Sequence, residues 1–285
     1  MSEAPAKSAA GRPASALVRL RKGGAGRPLF LVHPVGGNVL CYGDLVRRLG
    51  GDEPVYGLQS VGLAGAEPLE DLNEAAAHYA GLVREAAPHG PYRLAGWSMG
   101  GVIAFEMARR LTAAGGEVEL VGLLDSLPPG YPKEQDEDDD AYLLWGLAYD
   151  LGGMTGKVPQ ISRQDLNGMK AEEGLSLLLE KAREAGTIAP WFGMAQAAQL
   201  WKVYRANIRA LRRYRPAGPF SGTLSLWVAS ANDWLEPLGP QLGWEGLAES
   251  GVEAQTIEAD HYGLLRPPAV AGLAEQIGRK LRVPF

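Results

Sequence analysis

Gly96-Trp97-Ser98-Met99-Gly100 decides how this chain is read. The stretch follows an apolar run, Tyr92-Arg93-Leu94-Ala95, with the character of a buried strand, and opens a helix-like run at residues 101–111. A Gly-x-Ser-x-Gly segment between strand and helix makes a sharp turn that lifts its serine clear of the sheet as a nucleophile. The backbone at the apex is strained. Side chains at positions 96 and 100 would meet the neighbouring strand and helix, so glycine occupies both. A serine presented this way needs a base, an acid that orients the base, and two N–H donors for the oxyanion.

Outward from the elbow, strands and helices alternate. Residues 16–20 read as a first strand. Residues 28–32 form a continuous apolar run, as in a strand buried on both faces of a parallel sheet. A loop, His33-Pro34-Val35-Gly36-Gly37, leads to a helix over residues 39–49, and residues 54–59 form another strand. Asp71 caps the next helix, and Glu74 three residues on predicts a capping box. The strand at 92–95, the elbow and its helix follow, and residues 118–124 form the next strand, closed by Asp125. Between about residues 131 and 215 no strand is expected, only helical stretches near 141–151, 163–185 and 194–214. Strands resume at 223–229 and 252–258, before a last helix at 268–281. The alternation predicts a mostly parallel sheet flanked by helices, with the helical block inserted as a lid on the carboxyl side of the strands.

Elimination among four histidines selects the base. His78 sits on the polar face of its helix, and His89 lies in a turn before the elbow strand. His33 ends a strand near the elbow but precedes the serine. His261, in Ala259-Asp260-His261-Tyr262-Gly263, follows the last strand. In α/β-hydrolases the chain order is Ser, then Asp or Glu, then His, and His261 fits. Asp125 and Asp233 each follow a strand and both remain open as the acid, whereas Asp260 reads as a turn former. The oxyanion donors are expected to be the backbone N–H groups of Met99 and Val35, and His33 is expected to shape the Val35 loop.

The stretch from Gly90 through Gly101, Ala104-Phe105-Glu106-Met107-Ala108, Leu123-Leu124-Asp125-Ser126, the His33–Gly37 loop and Asp260-His261-Tyr262-Gly263-Leu264-Leu265 together resemble the thioesterase domains that end nonribosomal peptide synthetases and polyketide synthases. The resemblance runs from about residue 17 to the C-terminus and is weakest across the lid. It implies an α/β-hydrolase fold, Asp125 as the acid, and release of an acyl chain from the phosphopantetheine of a carrier protein through a Ser98 acyl-enzyme. Release is by water or by ring closure. Trp97 before the serine and Gly101 after the elbow resemble the chain-terminating kind. A free-standing editing thioesterase, and an esterase acting on free esters, are the alternatives.

Composition frames these readings. The 285 residues suffice for one large α/β domain at 16–285, preceded by an Ala/Pro/Ser/Gly-rich tail or linker at 1–15. A net charge of −5 gives no reason to expect a nucleic-acid partner, and no apolar run approaches a membrane span. One cysteine, Cys41, precludes a disulfide framework and fits a cytoplasmic setting; it reads as a packed apolar residue. No metal-ligand cluster or phosphate loop is apparent, so no cofactor is expected. Residues 134–140 read as a solvated acidic loop. Lys202, Arg205, Arg209, Arg212 and Arg213 recur at helical spacing, as a solvated face or a dock for an acidic carrier. Trp191, Phe192, Trp201 and Tyr204 are expected either in the acyl pocket or in the lid core.

Overall fold

The structure, a computed structural model, describes residues 16–131, 139–231 and 238–282. Seven strands form one sheet in the order β1-β3-β2-β4-β5-β6-β7: β1 Leu17–Arg21, β2 Leu29–Val32, β3 Val55–Leu58, β4 Tyr92–Trp97, β5 Val118–Leu124, β6 Leu224–Ala229 and β7 Val252–Ile257. Every residue of β2 and β4 is buried, which is why β2 reads as an unbroken apolar run; in β4 the one charged residue, Arg93, is buried against Glu119 at 2.7 Å. All neighbouring pairs are parallel except β1, which runs antiparallel to β3. The cause lies in the connection. Residues 22–28 are too few for a crossover, which takes a dozen or more, so the chain reverses direction at this edge.

Helices α1 (Gly43–Arg48) and α8 (Ala269–Arg282) cover one face, α2 (Leu72–Ala86) and α3 (Met99–Ala113) the other. Asp71 caps α2 as expected, but its carboxylate accepts from the Asn73 N–H at 2.6 Å, one residue short of the Glu74 amide that a capping box uses. Between β5 and β6 lie α4 (Asp140–Thr155), α5 (Arg163–Leu166), α6 (Ala171–Glu184) and α7 (Met194–Arg213). This block has its own apolar cluster, centred on Leu144, Leu147, Leu178, Leu179 and Trp201. The helix expected at 163–185 is two helices. Gly168 takes φ +77° between them, and the Glu173 carboxylate starts the second by accepting from Lys170 N at 3.0 Å. Most of the acidic loop lies outside the described residues. No described helix is long and apolar enough to cross a membrane.

Chain order sets the position of the site. From β3 the chain crosses back over β2 to reach β4, so the loops after β2 and β4 leave the sheet side by side in opposite senses. Such a switch point opens a crevice at the carboxyl ends of the strands. Val32 pairs with Gly96, so residues 33–37 emerge directly beside the elbow.

Candidate active site

Ser98 adopts φ 56°, ψ −127°, a conformation L residues rarely hold, between the end of β4 and the first turn of α3. Close packing fixes it there. A Cβ on Gly96 would lie 2.1 Å from the Gly100 carbonyl, and one on Gly100 would lie 2.3 Å from the Val32 oxygen. The expected collisions with helix and strand are therefore real, and both involve backbone that cannot yield. Buried Tyr42 ties the two strand ends together: its hydroxyl accepts from the Trp97 N–H at 2.8 Å and donates to the Val32 oxygen at 2.5 Å. Met99 is the first residue of α3, so its N–H has no partner within the helix and faces the end where the helix dipole is positive.

The loop after β2 is held from two sides. His33 is 1% exposed; its Nδ1–H donates to the Pro34 oxygen at 2.8 Å, while Nε2 accepts from the Tyr79 hydroxyl at 2.9 Å. That tautomer follows from the network, because the carbonyl can only accept. Burial lowers the His33 pKa to about 4, so the ring is neutral. The Pro34 carbonyl, which also accepts from Gly37 N at 2.9 Å, belongs to the same peptide plane as the Val35 N–H. His33 thus sets the direction of that N–H, the role expected for it. Asn207, on α7, donates to the Val35 oxygen at 2.7 Å and secures the next peptide.

On the other side of the elbow, Asp125 ends β5 with φ 46° and is 3% exposed. Its Oδ1 accepts from the Ala229 N–H at 2.9 Å, and its Oδ2 lies 2.6 Å from His261 Nδ1. Asp233 lies outside the described residues. His261 sits beyond β7, in a loop pinned by Asp260, whose side chain accepts from Gly263 N at 2.5 Å, as a turn former should. The Trp97 indole packs against the imidazole, tilted by 30° at a ring distance of 4.7 Å, and its N–H donates to the His261 carbonyl at 3.1 Å. His78 and His89 are both exposed on the surface.

Ser98, Val35 and His261 line a cavity of about 610 Å³ that Met99, Asp125, Tyr149, Asp150, Tyr204 and Tyr262 also border. A narrower space of about 50 Å³ also meets Ser98, Val35, Asp150, His261 and Tyr262. The aromatic residues left undecided by sequence divide. Tyr204 lines the large cavity, Trp201 packs in the helical cluster, and Trp191 is 75% exposed. Cys41 is buried and burial pushes its thiol pKa up, so it is packing rather than a rival nucleophile. In the basic row, Arg205 pairs with Asp140 at 3.4 Å, Arg209 with Glu70 at 3.5 Å and Lys202 with Glu67 at 3.8 Å. These residues therefore engage the protein's own acids as much as solvent. Among the described residues, no group of three or more His, Cys, Asp or Glu is placed to hold a metal ion.

Sequence reading missed Tyr42, Asn207 and Asp150. Nothing in the spacing marks the first two, which act through contacts far apart in the chain. Asp150 carried a signal, as it is the one charged residue between 141 and 155.

The Thioesterase domain family model matches residues 27–281. The chain belongs to the thioesterase-domain family. It is 32% identical to the dimodular nonribosomal peptide synthase of Bacillus subtilis (strain 168) over 269 residues, 94% of this chain but 11% of that protein. The structure of holo-AB3403, a four-domain nonribosomal peptide synthetase bound to AMP and glycine, aligns with TM-score 0.86 and 29% identity over 95% of this chain and 20% of that one. The Vlm2 thioesterase domain bound with a dodecadepsipeptide aligns with TM-score 0.71 and 24% identity, covering 94% of this chain and all of that one. This thioesterase domain thus has the α/β-hydrolase fold, and it spans a small fraction of the multidomain synthetases it matches.

Proposed function

We propose that this domain is a serine thioesterase that releases an acyl or peptidyl chain from the phosphopantetheine arm of a carrier domain, with Ser98, His261 and Asp125 as its triad. The observation that carries the reading is the 2.6 Å contact between Asp125 Oδ2 and His261 Nδ1, made beside the strained Ser98 on one cavity. With Asp125 accepting from Nδ1–H, His261 Nε2 is left to take the Ser98 proton. The Ser98 oxygen attacks the thioester carbonyl, and the oxyanion is met by the N–H groups of Met99 and Val35. Collapse breaks the C–S bond. The imidazolium returns its proton to the departing thiolate, leaving the chain as an ester on Ser98. Water, or a hydroxyl or amine of the chain itself, then attacks with His261 again as base, giving an acid or a ring.

The helical block between β5 and β6 acts as a lid over this site. A space of about 610 Å³ is large enough for a chain of several residues. The test is to present one acyl group on a phosphopantetheinylated carrier and as a free ester. Faster turnover of the carrier-bound form is expected, and better turnover of the free ester would favour an esterase. Mass analysis of the product reads the second step, since a linear acid means hydrolysis and loss of one further water means a ring.

A further inference from the structure

Asp150 is built into the wall of the site without a role in the triad. It projects from α4 between the two cavities that meet at Ser98 and borders both. The Tyr262 hydroxyl donates to its Oδ1, and Tyr204 borders the same large cavity. The backbone of α4 is shaped for these two rings. A Cβ on Gly146 would lie 2.8 Å from the Tyr204 hydroxyl, and one on Gly153 would lie 2.5 Å from the Tyr262 ring. Glycines four residues before and three after Asp150 therefore let two tyrosines close on it from either side. Tyr149 adds a third ring, edge-on to Tyr262 at 5.7 Å.

A carboxylate accepts about four hydrogen bonds, and a neutral tyrosine hydroxyl supplies no counter-charge; the one basic ring that borders both cavities with it is His261. Asp150 makes no ion pair among the described residues. Arg212 lines the same large cavity, but its guanidinium lies over the Tyr142 ring at 5.7 Å. The cavity is also lined by apolar Val35, Val102, Leu127, Ile208 and Leu211 and, besides the triad candidates, by the charged Arg212 and Asp260. An acid flanked by tyrosine rings in such a space is a receptor for a cationic nitrogen: the acid supplies charge and the rings supply their faces.

We propose that Asp150, with Tyr149, Tyr204 and Tyr262, binds a protonated amine on the acyl chain, so that this domain selects amine-bearing chains. The inference rests on the thioesterase reading above. It is tested with a ladder of ω-aminoacyl N-acetylcysteamine thioesters of increasing length, each paired with the isostere in which methyl replaces ammonium. The wild-type domain is expected to prefer the amine at one or more lengths by about tenfold or more in kcat/KM, the least expected of a hydrogen bond to a charged group. Asp150→Asn should bring that ratio towards one, chiefly through loss on the amine. Fluorophosphonate labelling of Ser98 in the variant shows separately that the site is assembled. No amine preference at any length in the wild type would overturn the inference, as would an equal fall on both substrates in Asp150→Asn, the mark of a residue that only positions the histidine loop. Turnover of neither substrate by the wild type would refute the thioesterase reading itself, and the inference with it.

Discussion

Replacing Asp125 by Asn tests the triad at its most specific point. The carboxylate has two distinct duties: Oδ1 accepts from the Ala229 N–H at 2.9 Å, and Oδ2 meets His261 Nδ1 at 2.6 Å. An asparagine must satisfy the buried Ala229 donor with its oxygen, because its NH₂ would face another N–H there. The NH₂ then points at Nδ1, which must become the acceptor, and the ring proton moves to Nε2. In that tautomer Nε2 has no lone pair with which to receive the Ser98 proton. A wrong tautomer in such a triad lowers kcat by about 10⁴, or roughly 5 kcal/mol of transition-state stabilisation. Because the amide is isosteric and keeps both hydrogen bonds, exchanging only the charge-assisted one for a neutral one, stability should fall by only about 1 kcal/mol. The assay is release of free thiol from an acyl N-acetylcysteamine thioester, followed alongside a melting curve. We expect kcat and kcat/KM to fall together with little change in melting temperature. Retention of more than about a tenth of wild-type kcat would refute Asp125 as the orienting acid. Asp233→Asn, assayed in parallel, should stay within a few-fold of wild type.

Asn207→Ala removes the donor that holds the Val35 carbonyl. Loosening one oxyanion contact should lower kcat by about ten- to a hundredfold, with KM for a thioester changed less, in the same thiol-release assay. Gly96→Ala drives a methyl into the Gly100 carbonyl at 2.1 Å, where only backbone could yield. A loss of at least about 3 kcal/mol is expected by denaturant titration, together with loss of fluorophosphonate labelling at Ser98. His33 gives a pH signature. Its folded pKa of about 4 lies below the ordinary histidine value of 6.5, so the unfolded chain binds the extra proton first as pH falls. Stability from this group is therefore full above about pH 6.5 and declines by about 3 kcal/mol as pH drops towards 4. Denaturant titrations across that window should show the decline, and His33→Gln should flatten it.

Much of the fold is legible along the chain because its signals are local. Parallel strands buried on both faces are apolar almost throughout, as residues 29–32 are and as residues 92–97 are but for the ion-paired Arg93. A strand-to-helix turn with a strained apex needs glycine where backbones touch, as at positions 96 and 100. These patterns alone suffice for a mostly parallel sheet with a serine raised at its carboxyl edge. They also suffice to nominate His261, because the base in this fold follows the last strand.

Other features depend on which strands become neighbours, and no local pattern encodes that. Asp125 and Asp233 follow adjacent strands and are equivalent by spacing. Only in three dimensions do the end of β6 and the loop after β7 offer Asp125 a backbone donor and an imidazole at once. Tyr42, Asn207 and Asp150 act across 55, 172 and 112 residues of chain, through contacts that the switch point and the helical block create. The sequence by itself determined that a serine would be raised on a strained turn above the sheet, since periodicity and steric exclusion are written residue by residue. The partners of Asp125, the anchoring of the Val35 loop and the carboxylate between the cavities were left to the tertiary structure. Each is a matter of distance between distant parts of the chain, and only packing fixes distance.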